Sequence, residues 1–133
     1  MAQPAAKKGD QVTATDTHIV MVPSPGGPVP TPLPHPFTGI LSGGLSSNVK
    51  VMGQPAATVD STADNTPAHI PTPPGTSFQS PPANQATIKM GSAKVKINGK
   101  AAARNGDTAN TCNDPADQPI GTVVVPGGTV MIG

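Results

Sequence analysis

A short pattern that occurs three times limits what this chain of 133 residues can fold into. "VKVMGQPAATVD", from Val49 to Asp60, aligns with "VKINGKAAARNGD", from Val95 to Asp107, if the second copy is allowed one extra residue before its final Asp. "QPAAKKGD", from Gln3 to Asp10, matches the end of the same pattern. Because self-similarity of this kind marks a repeated supersecondary unit, the sequence predicts three equivalent units.

The copy at the N-terminus lacks the strand that precedes the other two copies. "GGTVMIG", from Gly127 to Gly133, resembles those strands and lies at the opposite end of the chain. We therefore expect the C-terminal strand to complete the first unit, so that three units surround a pseudo-threefold axis. We predict a single domain, residues 1–133. Its first unit combines about residues 3–37 with residues 121–133, and the other two units cover about 38–78 and 86–120.

Each repeat strand follows an apolar run across small turn residues, in "FTGILSGGLSSNVKVMG", "ATIKMGSAKVKING" and "GTVVVPGGTVMIG". Apolar runs joined by Gly-Gly or Gly-Ser are typical of β-hairpins. Glu is absent, and the abundant Asp, Thr, Gly and Pro are poor helix formers. We expect an all-β fold built from three β-hairpins.

The core of such a fold has to be small, because the chain has 2 Phe and neither Trp nor Tyr. With 18 Pro and 15 Gly, composition alone would also suit a disordered chain, but the repeats argue against disorder. Proline fixes φ, so the Pro-rich connections are predicted to be stiff and extended.

All three His and the single Cys lie in the long connections: His18, His35, His69 and Cys112. Three imidazoles and one thiolate form a usual tetrahedral donor set for structural zinc. Metal binding would also stabilise a fold with a small core. The spacing matches no zinc-finger signature, so scattered histidines and a buried Cys remain the alternative.

Charge and hydropathy bear on partners and location. The net charge is +1, with no basic run beyond Lys7-Lys8, which argues against nucleic-acid binding. No apolar run approaches the roughly 20 residues of a membrane span, so stable membrane insertion is not expected. "MAQPAAKKGD" lacks the apolar core of a signal peptide, and we expect synthesis in the cytoplasm.

Three tetrapeptides resemble the Pro-Ala-Ala-Arg motif of PAAR-repeat proteins: Pro4-Ala5-Ala6-Lys7, Pro55-Ala56-Ala57-Thr58 and Ala101-Ala102-Ala103-Arg104. The motif is degenerate in all three, because Lys7 and Thr58 replace Arg and Ala101 replaces Pro. The resemblance implies a small, conical, noncatalytic tip for the spike of a contractile injection system, such as type VI secretion or an extracellular phage-tail-like particle. It further implies one structural zinc ion at the apex, where the connections converge, bound by His18, His35, His69 and Cys112.

The implied partner is a trimeric β-helical spike protein, VgrG-like or of the phage type, with an effector as a further candidate. The implied docking residues are apolar and lie on the repeat strands: Val49, Val51, Val95, Ile97, Val130 and Ile132. After assembly in the cytoplasm the protein would be delivered outward on contraction. Because Gly133 ends the last predicted strand, we expect no fused toxin domain.

Two other functions fit parts of the sequence. A zinc hydrolase could use His18, His35 and His69 with water as the fourth ligand and Cys112 idle or catalytic. Since Glu is absent, Asp16 or Asp114 would have to be its general base. A secreted adhesin or calcium-binding solenoid would need closely repeated acidic ligands, whereas Asp recurs only once per long repeat.

Overall fold

The computed structural model describes residues 2–133, and this part of the chain contains strands and turns but no helix. The predicted all-β class is confirmed. The strands are β1 (Gln3–Pro4), β2 (Gln11–Val22), β3 (Val29–Gly43), β4 (Lys50–Val51), β5 (Gln54–Pro55), β6 (Thr62–Asn65), β7 (Ser77–Phe78), β8 (Gln85–Ile88), β9 (Lys96–Ile97), β10 (Lys100–Ala101), β11 (Thr108–Thr111), β12 (Gln118–Val124) and β13 (Met131–Ile132).

The main sheet closes on itself. Its strand order is β12-β11-β8-β6-β3-β2-β7, and β12 also pairs with β2, so six strands form a ring to which β7 adds at one edge. All the pairings are antiparallel. The ring consists of three strand pairs, β2 with β3, β6 with β8, and β11 with β12. A loop joins the two strands of the first and third pairs, and the connection between β6 and β8 contains β7.

The three strand pairs begin in the same way. The first residue of each leading strand lies opposite its partner as Gln11 to Ile40, Thr62 to Thr87 and Thr108 to Thr122. Because side chains alternate across a strand, the residue after each of these faces the interior. Six fully buried side chains fill this part of the ring: Val12, Ala63, Ala109, Leu41, Ile88 and Val123.

The Pro-Ala-Ala-Arg-like tetrapeptides, which we call the base segments, meet at one end of the closed sheet. The Ala6 N–H donates to the Ala103 carbonyl at 2.9 Å, Ala103 donates to Ala57 at 3.0 Å, and Ala57 donates to Ala6 at 3.0 Å. Small side chains allow this close approach, and all three are buried. Such a cycle is the contact pattern expected of three equivalent units around an axis.

The repeat strands form hairpins, but with a different partner from the one predicted. β4 pairs with β5 across Met52-Gly53, and β9 pairs with β10 across Asn98-Gly99. All four turn residues have positive φ, between 50° and 83°, as a type I′ turn requires. The predicted pairing with the upstream apolar runs is therefore wrong, because those runs belong to β3, β8 and β12 of the closed sheet.

The first unit has no such turn, because its two strands come from opposite ends of the chain. Gln3 lies opposite Ile132 and Pro4 opposite Met131 in an antiparallel pair. The Arg104 guanidinium donates to the Gly133 carbonyl at 3.2 Å, and the Ser92 hydroxyl donates to the same oxygen. The two ends of the described chain therefore meet in one strand pair, and the assignment of the C-terminal strand to the first repeat unit stays a prediction.

The acids that end the three copies are not equivalent. The carboxylates of Asp10 and Asp107 accept hydrogen bonds from the backbone N–H groups of Lys7 and Arg104, at 3.0 and 2.6 Å. Both also pair with those side chains, at 3.1 and 2.8 Å, so Lys7 forms the same kind of ion pair as Arg104.

In the middle unit, a hydroxyl and not a carboxylate accepts the equivalent backbone hydrogen bond. Ser61 Oγ accepts from Thr58 N at 3.0 Å, so Ser61 is the equivalent of Asp10 and Asp107. Asp60 instead takes the place of Gly9 and Gly106, with φ of 78° against 92° and 88°. The predicted equivalence of Asp60 is wrong, and the alignment needs no inserted residue.

The substitution Asp60→Gly should stabilise the fold by about 0.5 to 1 kcal/mol. A residue with a Cβ is strained in the left-handed region, and glycine is not. The lost contact, Lys100 Nζ to Asp60 Oδ2 at 3.7 Å, is exposed and contributes little. Urea denaturation would measure the change. Gly106→Asp is the matched control and should destabilise, since a Cβ there contacts nothing within 4 Å and only the dihedral is tested. A less stable Asp60→Gly variant would contradict the interpretation.

Candidate metal centre

The interior of the closed sheet becomes polar away from the base segments. On β2, Asp16 and His18 follow Val12 at even spacing, so they face the same side of the strand. On β3, His35 precedes Phe37 by two residues and faces inward for the same reason. All these side chains are buried. The alternation of the strands therefore places imidazole and carboxylate groups where the hydrophobic core ends.

Four side chains form what we call the apical cluster: Asp16, His18, His69 and Cys112. Their ligand atoms all lie within 4.8 Å of one another. His69 comes from the Pro-rich segment between β6 and β7, and Cys112 follows the end of β11. Three of the four predicted ligands are thus brought together, and a carboxylate joins them.

His18 shows that the cluster fits a metal ion. Both ring nitrogens are buried, and within residues 2–133 neither has a hydrogen-bond partner. Its Nδ1 lies 3.4 Å from Asp114 Oδ2, but that oxygen accepts a hydrogen bond from Ile19 N at 2.9 Å. A buried polar atom without a partner is costly, and an ion bound at one ring nitrogen would remove this cost for that atom. Imidazole, thiolate and carboxylate are all ligands that zinc accepts.

Asp16 is at the centre of the polar contacts. Its Oδ2 lies 2.9 Å from His69 Nε2, and the Cys112 thiol donates to it at 3.4 Å. Its Oδ1 accepts hydrogen bonds from the Thr111 hydroxyl and, at 3.4 Å, from Asn113 Nδ2. A fully buried carboxylate needs compensating charge or hydrogen bonds, and these four groups surround it.

His35 lies beside the apical cluster. Its ring centroid is 5.4 Å from that of His18 and 5.6 Å from that of His69. Nδ1 donates to the Leu33 carbonyl at 2.9 Å, and Nε2 accepts from the Thr72 N–H at 3.1 Å. Burial lowers the pKa of His35, and the nearby His18 and His69 act in the same direction. Its role as a ligand stays a prediction.

The thiol of Cys112 is held in its neutral form when no metal is bound. Burial raises the pKa of Cys112 to about 11, and the charge of Asp16 acts in the same direction. A catalytic cysteine needs the opposite shift, towards the thiolate. A bound metal ion would displace the thiol proton, because thiolate is the form that coordinates metals.

Sequence reasoning considered Asp16 only as a general base. The signal that could have placed it among the metal ligands is its spacing from His18. Two residues apart on a strand, both side chains point to one face. The predicted placement of His18 and His35 in connections is wrong, because they lie on the long strands β2 and β3.

The six predicted docking residues divide into buried and exposed groups. Val51, Ile97 and Ile132 are buried in a second, smaller hydrophobic cluster with one alanine of each base segment, Ala5, Ala56 and Ala102, and Val49 packs against it. Val95 and Val130 are exposed, with 37% and 42% of their surface accessible. Two exposed methionines next to the repeat strands, Met52 and Met131, were not predicted. The docking role of all six stays a prediction.

The chain matches the PAAR motif family over residues 21–116, well over half of its length. The chain therefore belongs to the PAAR motif family. This membership fits a structural spike-tip role and implies association with a spike protein. No curated protein matches the chain. Among residues 2–133 there is no helix that could cross a membrane.

Proposed function

We propose that this protein is a noncatalytic tip that caps and sharpens the trimeric β-helical spike of a contractile injection apparatus. The observation that carries the proposal is the closed cycle of backbone hydrogen bonds between Ala6, Ala57 and Ala103. One chain thereby presents three equivalent base segments. A trimeric spike ends in three identical surfaces, and a pseudo-threefold base can satisfy all of them with a single copy.

Docking would use the base. Val95 and Val130 occupy equivalent places in two units, because their carbonyls accept from Ala102 N and Ala5 N. Exposed Met52 lies in the turn between β4 and β5, and exposed Met131 lies on β13. These apolar side chains would cover the exposed strand ends of the spike, which otherwise favour association with other chains. The buried Val51, Ile97 and Ile132 would support the surface from within.

The apical cluster would hold one structural metal ion, which we propose is zinc. His18, His69 and Cys112 come from β2 and from the segments after β6 and β11, so a shared ion would link all three strand pairs. Such a link raises the free energy of local opening where the core is too narrow to do so. This property suits a tip that is assembled in the cytoplasm, delivered outward and pushed through an envelope, with or without an attached effector.

Docking is tested with charged substitutions on the base. We expect Val95→Asp and Val130→Asp, especially combined, to weaken binding to the purified spike trimer of the same apparatus by at least about tenfold, since each would bring an unpaired charge into the interface. Biolayer interferometry would measure the affinity. Ile70→Asp is the control, because Ile70 is also exposed but lies on the Pro-rich segment near His69. Equal losses for the base and control variants, or no loss at the base, would contradict the proposed docking surface.

A further inference from the structure

We propose that alternate prolines on the free edge of β3 prevent two copies of this chain from pairing strand to strand. The surface concerned, which we call the proline edge, covers residues 29–36 and has proline at every second position: Pro30, Pro32, Pro34 and Pro36. A chain with this edge would stay monomeric whether or not it caps a spike, so the proposal is separate from the proposed function.

The backbone groups of these prolines point away from β2. In an antiparallel pair, residues that exchange hydrogen bonds alternate with residues whose N–H and C=O groups point away from the partner strand. Pro34 lies opposite Thr17. The Thr17 N–H donates to Asn113 Oδ1 at 2.7 Å and its carbonyl accepts from Asp114 N at 2.8 Å, so both groups point away from β3. Pro34 therefore points outward as well, and its carbonyl accepts from the Thr72 hydroxyl at 2.7 Å. The other three prolines lie at the same phase of the strand.

The proline edge therefore carries acceptors but no donors. Proline has no backbone N–H, so each of these outward positions presents only a carbonyl. Thr72 occupies the carbonyl of Pro34. Pro30 and Pro32 are exposed, and no hydrogen bond from residues 2–133 reaches their carbonyls. A strand added to this edge would find no donor for its own carbonyls at these positions.

The same edge without prolines would favour association. β3 is the longest strand, with 15 residues, and β6 pairs only with residues 39–43 of it. A long exposed strand edge is a template for another chain, and proline is one of the residues that block such an edge. If two copies paired antiparallel around Thr31, Pro30 of one copy would lie opposite Pro32 of the other. Every hydrogen bond between these outward positions would require a proline N–H, so that ladder cannot form.

The test restores the missing donors with the double variant Pro30→Thr and Pro32→Thr, since threonine has a backbone N–H and favours strands. Sedimentation equilibrium of the full chain should show that this variant dimerises at least about tenfold more tightly than the wild type, because each hydrogen bond adds to the stability of the dimer. Amide hydrogen exchange should show that the new N–H groups at positions 30 and 32 are protected in the dimer and not in the monomer.

The double variant Pro23→Thr and Pro25→Thr is the matched control. Both of these prolines are exposed and lie in the loop between β2 and β3, outside the strands. The control removes two prolines from the same hairpin without adding donors to the proline edge. It should associate no more than the wild type.

A variant with donors at positions 30 and 32 that dimerises no more than the wild type would overturn the proposal. Equal association of the control would also overturn it, because loss of prolines in general would then be the cause. A dimer in which the two new N–H groups exchange as fast as in the monomer would place the contact elsewhere, with the same consequence. If the double variant does not fold, Pro32→Thr alone decides by the same two measurements.

Discussion

Removal of the metal should lower the midpoint of thermal unfolding by roughly 10 to 20 °C. A ligand present at 1,000 times its Kd stabilises the folded state by about 4 kcal/mol, and each kcal/mol moves the midpoint of a domain of this size by several degrees. The effect is large here because the ion would link separate segments across a small core. Metal analysis of protein purified without added zinc should find one ion per chain, and unfolding with and without a chelator gives the shift.

Cys112→Ser provides the matched variant for this experiment. We expect it to bind zinc more weakly and to lose most of the chelator-dependent shift, while in chelator it should unfold close to the wild type, because serine occupies nearly the same buried volume. A wild type that carries no metal and unfolds at the same temperature with and without chelator would contradict a metal-held apex. The family assignment would then support at most a metal-free tip.

The substitution Leu41→Ala should destabilise the fold by about 3 to 4 kcal/mol. Leu41 is 0% exposed and lies in the centre of the closed sheet with Ile88 and Val123, its equivalents in the other two units. Removing a buried leucine costs its transfer free energy and leaves a cavity, for a total of about 2 to 5 kcal/mol. The ring around it is closed by hydrogen bonds on all sides, so the site can collapse only slightly.

Leu33→Ala is the control for that measurement, since Leu33 lies on the same strand but is only half-buried. Its cost should stay below about 1.5 kcal/mol, because less apolar surface is returned to water. Urea denaturation in excess zinc would compare both variants while the metal centre is intact. Similar costs for the two variants would show that the closed sheet is not the main core.

The repeats and the pairing of the two chain ends could be predicted because short local sequence patterns signal both. Gly53 and Gly99 are explicit turn signals, and the likeness of "GGTVMIG" to the other repeat strands predicted the pairing of the two chain ends. Hairpin partners could not be deduced in the same way. An apolar run before a Gly-Gly turn can pair with the following strand or join a larger sheet, and only the assembly of all three units decides between them.

The candidate metal centre shows a similar division. Residue type alone selected His18, His35, His69 and Cys112 as candidate ligands, because imidazole and thiolate are the usual ligands of structural zinc. It could not predict that the ring nitrogens of His35 would be engaged by Leu33 and Thr72, which depends on a distant Pro-rich segment. Asp60 was aligned with Asp10 and Asp107 because all three are acids at the end of a repeat. The backbone dihedrals show instead that Asp60 is equivalent to Gly9 and Gly106.

The cycle of hydrogen bonds between the base segments gives this small fold a mechanical property. In an open row of strands, separation can start at the outermost strand, which has only one neighbour. Here each base segment donates to one neighbour and accepts from the other, so none is outermost. Pulling out any one segment requires two of the three bonds to break together. Because the ring has no outermost segment, a force spread over the base cannot separate the segments one after another from an end.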